Sequence, residues 1–210
     1  MTERVAILTG DLIGSTAATL GRVEATMDRL VLCAAAIGPR TCFTRFRGDG
    51  WQMRLVEPGH CLLDSLYILA SLRAESLLAT RIAVGIGVEY PTDAKDLSTA
   101  MGPAFTASGR ALEMMRPGET LALAGEEKDI DRYRQLVFAF AADHAARWSA
   151  EQAEAMAMAM GPDGMTQETI AAKLGITRQA VGARLKAAGY GLLNRASMAF
   201  LNEYTAEGAQ

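Results

Sequence analysis

In the first 125 residues, segments whose apolar positions are spaced as in a β-strand alternate with segments whose apolar positions are spaced as in a helix. Residues 4–10 form a continuous apolar run that ends at an aspartate, which is typical of a strand buried on both faces. Helical spacing follows over residues 16–37. Two short runs rich in β-formers, residues 41–47 and 51–56, flank a Gly-Asp-Gly turn, which predicts a β-hairpin with Asp49 at its tip.

The alternation of predicted helices and strands continues after the hairpin. A second helical pattern begins at Pro58 and extends to about Thr80, and residues 81–90 then alternate large apolar side chains with alanine and glycine, as in a strand. A third helix is predicted over residues 103–115 and a last strand over residues 120–124. The order β-α-β-β-α-β-α-β predicts an α+β fold of the ferredoxin-like type, a mostly antiparallel sheet with its helices on one face.

The composition changes after residue 125, where strand formers give way to alanine, methionine, glutamate and arginine. We therefore predict three parts: a ferredoxin-like domain over residues 1–125, a connecting helix over residues 126–148, and a small all-α domain over residues 149–210.

A helix-turn-helix is predicted in the last of these parts, over residues 166–186. Thr166 and Thr177 are placed to cap its two helices, and Gly175 is placed at the turn between them. The positions predicted to form its core are Ile170, Ala171, Leu174, Ile176, Val181 and Leu185. The positions predicted to face outward on its second helix are Arg178, Gln179, Gly182, Arg184 and Lys186. Arginine and glutamine read base edges in the major groove, so the second helix is the expected recognition helix.

The side chains predicted to contact double-stranded DNA are Thr177, Arg178, Gln179, Arg184 and Lys186. The alternative is a three-helix packing module that binds no DNA. A dimer that reads two half-sites is the more effective arrangement, because one module makes few phosphate contacts.

Charge separates this segment from the rest of the chain. The chain has 21 basic and 24 acidic residues and a formal net charge of -3, which excludes a protein that coats nucleic acid along its whole surface. Residues 166–195 nevertheless contain five basic residues against the single acidic Glu168. A local basic stripe of this kind is the electrostatic pattern expected of a DNA-binding face.

Other features limit the class of protein. The longest apolar stretch, residues 61–79, is interrupted by Asp64, Arg73 and Glu75, so it predicts a buried helix and no membrane span. The three cysteines form no CxxC pair, and two histidines are too few for a typical zinc site. We expect a cytoplasmic protein.

Two carboxylates are predicted to share one end of the sheet. Asp11 follows the first strand and Asp49 lies at the hairpin tip, and these two strands are neighbours in a β-α-β-β sheet. Such a pair can hold Mg²⁺ or Mn²⁺, and the glycine-containing loop that leads into the first helix can offer N–H groups to a nucleoside triphosphate. The loop residues in question are Leu12, Ile13, Gly14 and Ser15. The alternative is that these residues form only a turn and a helix cap.

Four segments resemble motifs of class III nucleotide cyclases, in the order in which those enzymes have them. Residues 5–16 resemble the first metal-aspartate motif, and residues 45–52 resemble the second and also a degenerate GGDEF signature. Residues 81–88 are similar to the cyclase strand of alternating glycines, and residues 102–112 to the helix that supplies a phosphate-binding arginine. Over nearly its whole length the chain resembles the SatD family, which joins such a cyclase-like palm domain to a C-terminal helix-turn-helix.

The resemblance implies roles for particular residues. Asp11 and Asp49 would bind the metal, and Arg110 would act with them on the triphosphate. Because cyclases take this arginine from the partner subunit, a homodimer is implied. Arg45 and Thr106 stand where cyclases usually have a lysine and an asparagine, so they would contact the base and the ribose. The alternative for both arginines is a solvated surface position.

Three functions follow in order of preference. The first is a DNA-binding, transcription-regulating protein whose palm domain binds a nucleotide or a metal. The second is an active nucleotidyl cyclase or nucleotidyltransferase that its helix-turn-helix targets to DNA. The third is a non-catalytic assembly module.

Overall fold

The computed structural model describes residues 4–46, 48–90, 96–126 and 130–207, which form a five-stranded sheet and eight α-helices. The strands are β1 (Arg4–Leu12), β2 (Cys42–Arg45), β3 (Gly50–Leu55), β4 (Thr80–Val88) and β5 (Leu121–Gly125). The helices are α1 (Leu20–Ile37), α2 (Cys61–Ala74), α3 (Pro103–Met114), α4 (Arg132–Ala145), α5 (Ala150–Met160), α6 (Gln167–Leu174), α7 (Arg178–Ala187) and α8 (Tyr190–Glu207).

The sheet has the strand order β2-β3-β1-β4-β5. The pairs β2–β3, β3–β1 and β1–β4 are antiparallel, and only β4 and β5 are parallel. The first four strands therefore have the arrangement of a ferredoxin-like sheet, and β5 adds a fifth strand at the edge. The prediction of an α+β fold with a palm-like sheet is confirmed.

The prediction that all helices of this domain cover one face of the sheet is wrong. Alternate β1 residues such as Ala6 and Leu8 belong to the main core, which also contains the buried residues of α1 and α2. Val5 and Ile7 point to the opposite face, where they pack against Ala104 of α3. The element order alone does not assign a helix to a face, and the structure places α3 on the far side.

The small residues of β4 explain this placement. A Cβ atom at Gly85 would overlap the carbonyl oxygen of Ala104 and the backbone nitrogen of Ser108, because α3 lies directly on the strand there. The alternation of large and small side chains along β4 thus separates two helix-binding faces. The large residues Ile82, Val84 and Ile86 face the main core.

The C-terminal helices pack on the sheet domain through α2 and α5. Trp148 links the parts: its indole N–H donates to the carbonyl of Ala188 at 2.9 Å, and its own carbonyl accepts from Nε of Arg73 at 2.9 Å. One hydrophobic core extends from Ala6 in β1 to Phe200 in α8. The division at residues 125 and 149 stays a prediction, and these contacts cross it.

Element bounds differ from the predicted ones mainly at helix ends. The helix predicted from residue 16 begins as a 3-10 turn at Ser15–Ala17, followed by α1. The helix predicted to reach about Thr80 ends at Ala74, since the chain then turns through Ser76 with φ of 53°. In the described part of the chain, no helix has the length and apolar character needed to cross a bilayer.

Candidate functional site

The antiparallel pairing of β1 and β3 brings the two predicted carboxylates to one end of the sheet. Asp11 is paired with Gly50, the residue that follows Asp49. The N–H of Leu12 donates to the carbonyl of Asp49 at 3.2 Å. The two aspartates are therefore neighbours across adjacent strands, as the sequence predicts. Their binding roles stay predictions.

Arg81 is the residue that sequence reasoning missed. Its Nε donates to Oδ1 of Asp11 at 2.8 Å, and its Nη2 donates to Oδ2 of the same carboxylate. The hydrogen bonds to Asp11 raise the pKa of Arg81, and the charges of Asp11 and Asp49 add to this. The signal lies in the strand register, because Arg81 is opposite Asp11 in the β1–β4 pair and such residues share a face.

The loop after β1 is only partly available to a ligand. The N–H of Leu12 is bonded to Asp49, and the N–H of Ile13 donates to the carbonyl of Ala79 at 2.7 Å. Gly14 has φ of 74°, and the N–H groups of Gly14 and Ser15 have no partner among the described residues. The hydroxyl of Ser15 donates to Oδ2 of Asp49. Of the four loop residues predicted to bind phosphate, Gly14 and Ser15 thus have N–H groups open to a ligand, whereas the N–H groups of Leu12 and Ile13 are bonded within the fold.

The fit of this cluster to a divalent cation can be judged from its donors. Two carboxylates and the Ser15 hydroxyl are hard oxygen ligands, the type that Mg²⁺ and Mn²⁺ prefer. Arg81, however, occupies both oxygens of Asp11. No group of three or more histidine, cysteine, aspartate or glutamate side chains within the described ranges could hold a metal. A cation held here would need further oxygen ligands, such as those of phosphates, and metal binding stays a prediction.

Arg110 and Thr106 lie elsewhere on the chain. Both line a groove of about 1000 Å³ between α3 and β5, and neither forms a hydrogen bond or ion pair with Asp11 or Asp49 in the described part of the structure. The predicted site residues therefore form two groups on one chain: Asp11 and Asp49 lie at the sheet end, and Thr106 and Arg110 line this groove.

Arg45 is held by contacts within the fold. Its Nη1 donates to Oε2 of Glu24 in α1 at 2.7 Å, and its Nη2 donates to the carbonyl of Gly48 in the hairpin at 3.2 Å. The hydrogen bond to Glu24 raises the pKa of Arg45. A role in recognising a base would require this arginine to leave Glu24.

The predicted helix-turn-helix segment contains two short helices, α6 and α7. Thr166 accepts from the N–H of Thr169 at 3.2 Å, and Thr177 accepts from the N–H of Ala180 at 3.1 Å, so each caps a helix. Gly175 has the left-handed conformation expected at the turn, with φ of 65°. The core positions Ile170, Ala171, Val181 and Leu185 are buried, and Leu174 and Ile176 are partly buried against them.

The outer face of α7 differs in two positions from the prediction. Arg178, Gln179 and Lys186 are exposed as predicted. Arg184 instead turns toward α5, where its Nη1 lies 3.2 Å from Oε2 of Glu154. Gly182 faces Gln167 of α6. The packing of α7 on α5 and α6 rotates the helix about its axis so that Ala183, rather than Gly182 or Arg184, lies on the open face.

Several solved structures with similarity to the chain are cyclases. No protein-family model matches the sequence, and a search of curated protein sequences finds no match. A bacterial light-regulated adenylyl cyclase is 17% identical with a TM-score of 0.45, over 59% of this chain and 76% of the other. An adenylate/guanylate cyclase/hydrolase from Silicibacter pomeroyi is 21% identical with a TM-score of 0.47, over the same shares. The guanylyl cyclase Cya2 is 14% identical with a TM-score of 0.39, over 59% and 77%.

These identities and scores concern shape alone and assign neither activity nor substrate to this chain. The resemblance to the SatD family stays a prediction.

Proposed function

We propose that this chain is a DNA-binding regulator whose sheet-end cluster of Asp11, Asp49, Ser15 and Arg81 binds a nucleotide together with Mg²⁺ or Mn²⁺. The observation that supports DNA binding most directly is the open face of α7. Thr177 begins the helix there, and Arg178, Gln179 and Lys186 are exposed along it.

The chemistry of this face suits a DNA major groove. Arginine and glutamine can each form two hydrogen bonds with a base edge, and lysine neutralises phosphate. Ala183 leaves room between them for close approach. Arg178 lies 2.6 Å from Glu168, but both side chains are 65% exposed, so water screens the pair and the arginine can exchange partners at small cost.

DNA binding is tested by fluorescence anisotropy of the full chain with a labelled duplex of random sequence, as salt is raised. We expect log affinity to fall linearly with log salt. The double change Arg178→Ala and Lys186→Ala should weaken binding and flatten the salt slope by roughly 0.9 for each phosphate that the variant no longer neutralises. Arg184→Ala is the matched control, because this arginine faces Glu154 and should matter little. Absence of binding at low salt would overturn the proposal.

The nucleotide part rests on the donors at the sheet end. Arg81 is a guanidinium fork suited to phosphate, and the N–H groups of Gly14 and Ser15 lie in the adjoining loop. Asp11 and Asp49 would hold the metal, which would neutralise phosphate charge when bound. Arg81 would then exchange the carboxylate of Asp11 for phosphate oxygens. The ion pair therefore neutralises Asp11 until a nucleotide is present.

A thermal-shift screen with each nucleoside triphosphate and Mg²⁺ tests this part. A bound nucleotide must raise the apparent melting temperature of the wild-type chain. The shift should disappear in Asp49→Asn and remain in Asp28→Asn, an exposed carboxylate of α1. No shift with any of the four nucleotides would remove the nucleotide site and favour the assembly module. A cyclic or linked product that depends on Asp49 would instead favour the enzyme.

A homodimer is the third part of the proposal. Arg110 and Thr106 face the groove beside α3, and two large apolar side chains at its edge, Met101 and Met114, are 67% and 81% exposed. Such exposure favours cover by another protein surface. A second copy could bring its arginine to the sheet-end cluster of the first. Sedimentation equilibrium should give a dimer for the wild type and a monomer for Met114→Glu; a monomeric wild type would contradict it.

A further inference from the structure

A second pocket lies where the sheet domain meets the C-terminal helices. Its volume is about 500 Å³, within the usual range for small-molecule sites. One wall comes from the ends of α1 and β3 and the start of α2, and the other from the end of α5 and the start of α8. Apolar contacts are offered by Leu63, Met160 and Tyr190.

Asp64 of α2 is the unusual member of this lining. It is only 9% exposed, and it has no hydrogen bond or ion pair with any residue that the structure describes. A carboxylate that is about nine-tenths buried and has no protein partner loses most of its hydration. Burial, with a smaller contribution from the charge of Glu57, accordingly raises its pKa to about 7.

The other charged groups of the pocket do not neutralise Asp64. Glu57 adds a second negative charge, and Nε2 of His60 lies 3.4 Å from its carboxylate. Arg40 also belongs to the lining and is exposed to solvent. Asn194 supplies a neutral amide from α8. Among the charged groups of this lining, Asp64 is therefore the buried one, and no described residue pairs with it.

We propose that this pocket binds a small organic cation, an alkylammonium or amidinium compound, whose charged group pairs with Asp64. Such a ligand supplies the hydrogen-bond donors and the charge that the fold does not provide, and its apolar part fits the walls. A bare divalent ion is a poorer match, because it needs more oxygen ligands than this lining gathers.

A ligand bound in this pocket would contact both the sheet domain and the C-terminal helices. The ligand would contact α2 on one side and the start of α8 on the other, so it would strengthen the packing of the helical part on the sheet domain. This inference does not depend on nucleotide or DNA binding, and its test uses neither.

The test measures the affinity of the full chain for n-butylammonium and benzamidinium chloride by calorimetry and thermal shift. The neutral compounds n-butanol and benzamide serve as shape-matched probes, and potassium chloride controls for ionic strength. We expect one or both cations to bind and the neutral compounds to bind much more weakly. No binding by either cation, or equal binding by the neutral compounds, would overturn the proposal.

Two variants test the placement from opposite sides. Asp64→Asn keeps the shape but removes the charge, and it should weaken cation binding roughly tenfold or more. Asn194→Phe fills the pocket from α8 and should abolish binding while Asp64 is intact. Asp28→Asn, on the exposed side of α1, should bind as the wild type does. Unchanged binding in Asp64→Asn would exclude this pocket as the site.

Discussion

The sheet end and the α6–α7 segment are assembled from different kinds of contact. Asp11 lies in β1, Arg81 in β4 and Asp49 directly before β3, and the three meet only because the sheet forms. Thr166 and Thr177, in contrast, each bond to an N–H group three residues away. The sheet end therefore depends on long-range strand pairing, and the α6–α7 segment depends on contacts within a few residues along the chain. Mutations that act on one kind of contact should leave the other region intact.

The largest effect is expected outside both regions, in the pocket between the sheet domain and the C-terminal helices. Each of the two regions pairs its own charges, Asp11 with Arg81 and Arg184 with Glu154, whereas Asp64 of this pocket has no partner among the described residues. Its pKa is raised from 3.8 to about 7 in the folded state. The folded protein therefore binds this proton more tightly than the unfolded chain does. The stability from this group is complete below the unfolded pKa and is lost as pH rises through the folded pKa.

Asp64→Asn should remove that dependence. In the wild type, the free energy of unfolding should decrease by up to about 4 kcal/mol between about pH 4 and about pH 7. Urea unfolding of both proteins across this range measures it, with the difference between the two curves isolating Asp64. Parallel curves would show that the carboxyl has a partner or stays hydrated.

The next effect concerns long-range packing in the sheet. Gly85→Ala should lower the free energy of unfolding by about 3 kcal/mol, because the added methyl group overlaps the backbone of α3. Gly109→Ala in α3 is the matched control, since a Cβ there meets nothing within 4 Å. It should be neutral or stabilising by about 0.5 to 1 kcal/mol. Equal destabilisation in the two variants would contradict the direct contact of α3 with β4.

The same contrast explains what the sequence could predict. The caps, turn and core of α6 and α7 follow from spacing within about twenty residues, and the structure has them at the predicted positions. The neighbouring positions of Asp11 and Asp49 also followed, because the β-α-β-β order makes β1 and β3 neighbours and places the end of β1 beside the start of β3. Arg81 was missed because its contact depends on the β1–β4 register, 70 residues apart in sequence. The direction of the Arg184 side chain was not predicted, because the contact of α7 with α5 determines it.

A smaller and purely local effect is expected at the turn. Gly175 has φ of 65° and open space around it, so Gly175→Ala changes backbone strain and little else. It should cost about 1 kcal/mol. Gly191→Ala, in the first turn of α8 with nothing within 4 Å, should not be destabilising. Thermal unfolding measures both, and a destabilisation at Gly175 comparable to that at Gly85 would mean that the turn is under tertiary constraint after all.

The smallest effect on stability is expected at the ion pair between Glu168 and Arg178, where stability and DNA affinity should respond differently. Glu168 and Arg178 lie on adjacent helices with their side chains 65% exposed, so their pair should contribute less than about 0.5 kcal/mol to stability. Glu168→Gln should therefore leave the melting temperature nearly unchanged. It should still raise DNA affinity, by roughly threefold at low salt, because it removes a negative charge beside α7 and frees Arg178 for phosphate or base contacts. Glu151→Gln, on the exposed start of α5, is the control for net charge. Equal gains from both variants would mean that charge in general, and not the open face of α7, determines binding.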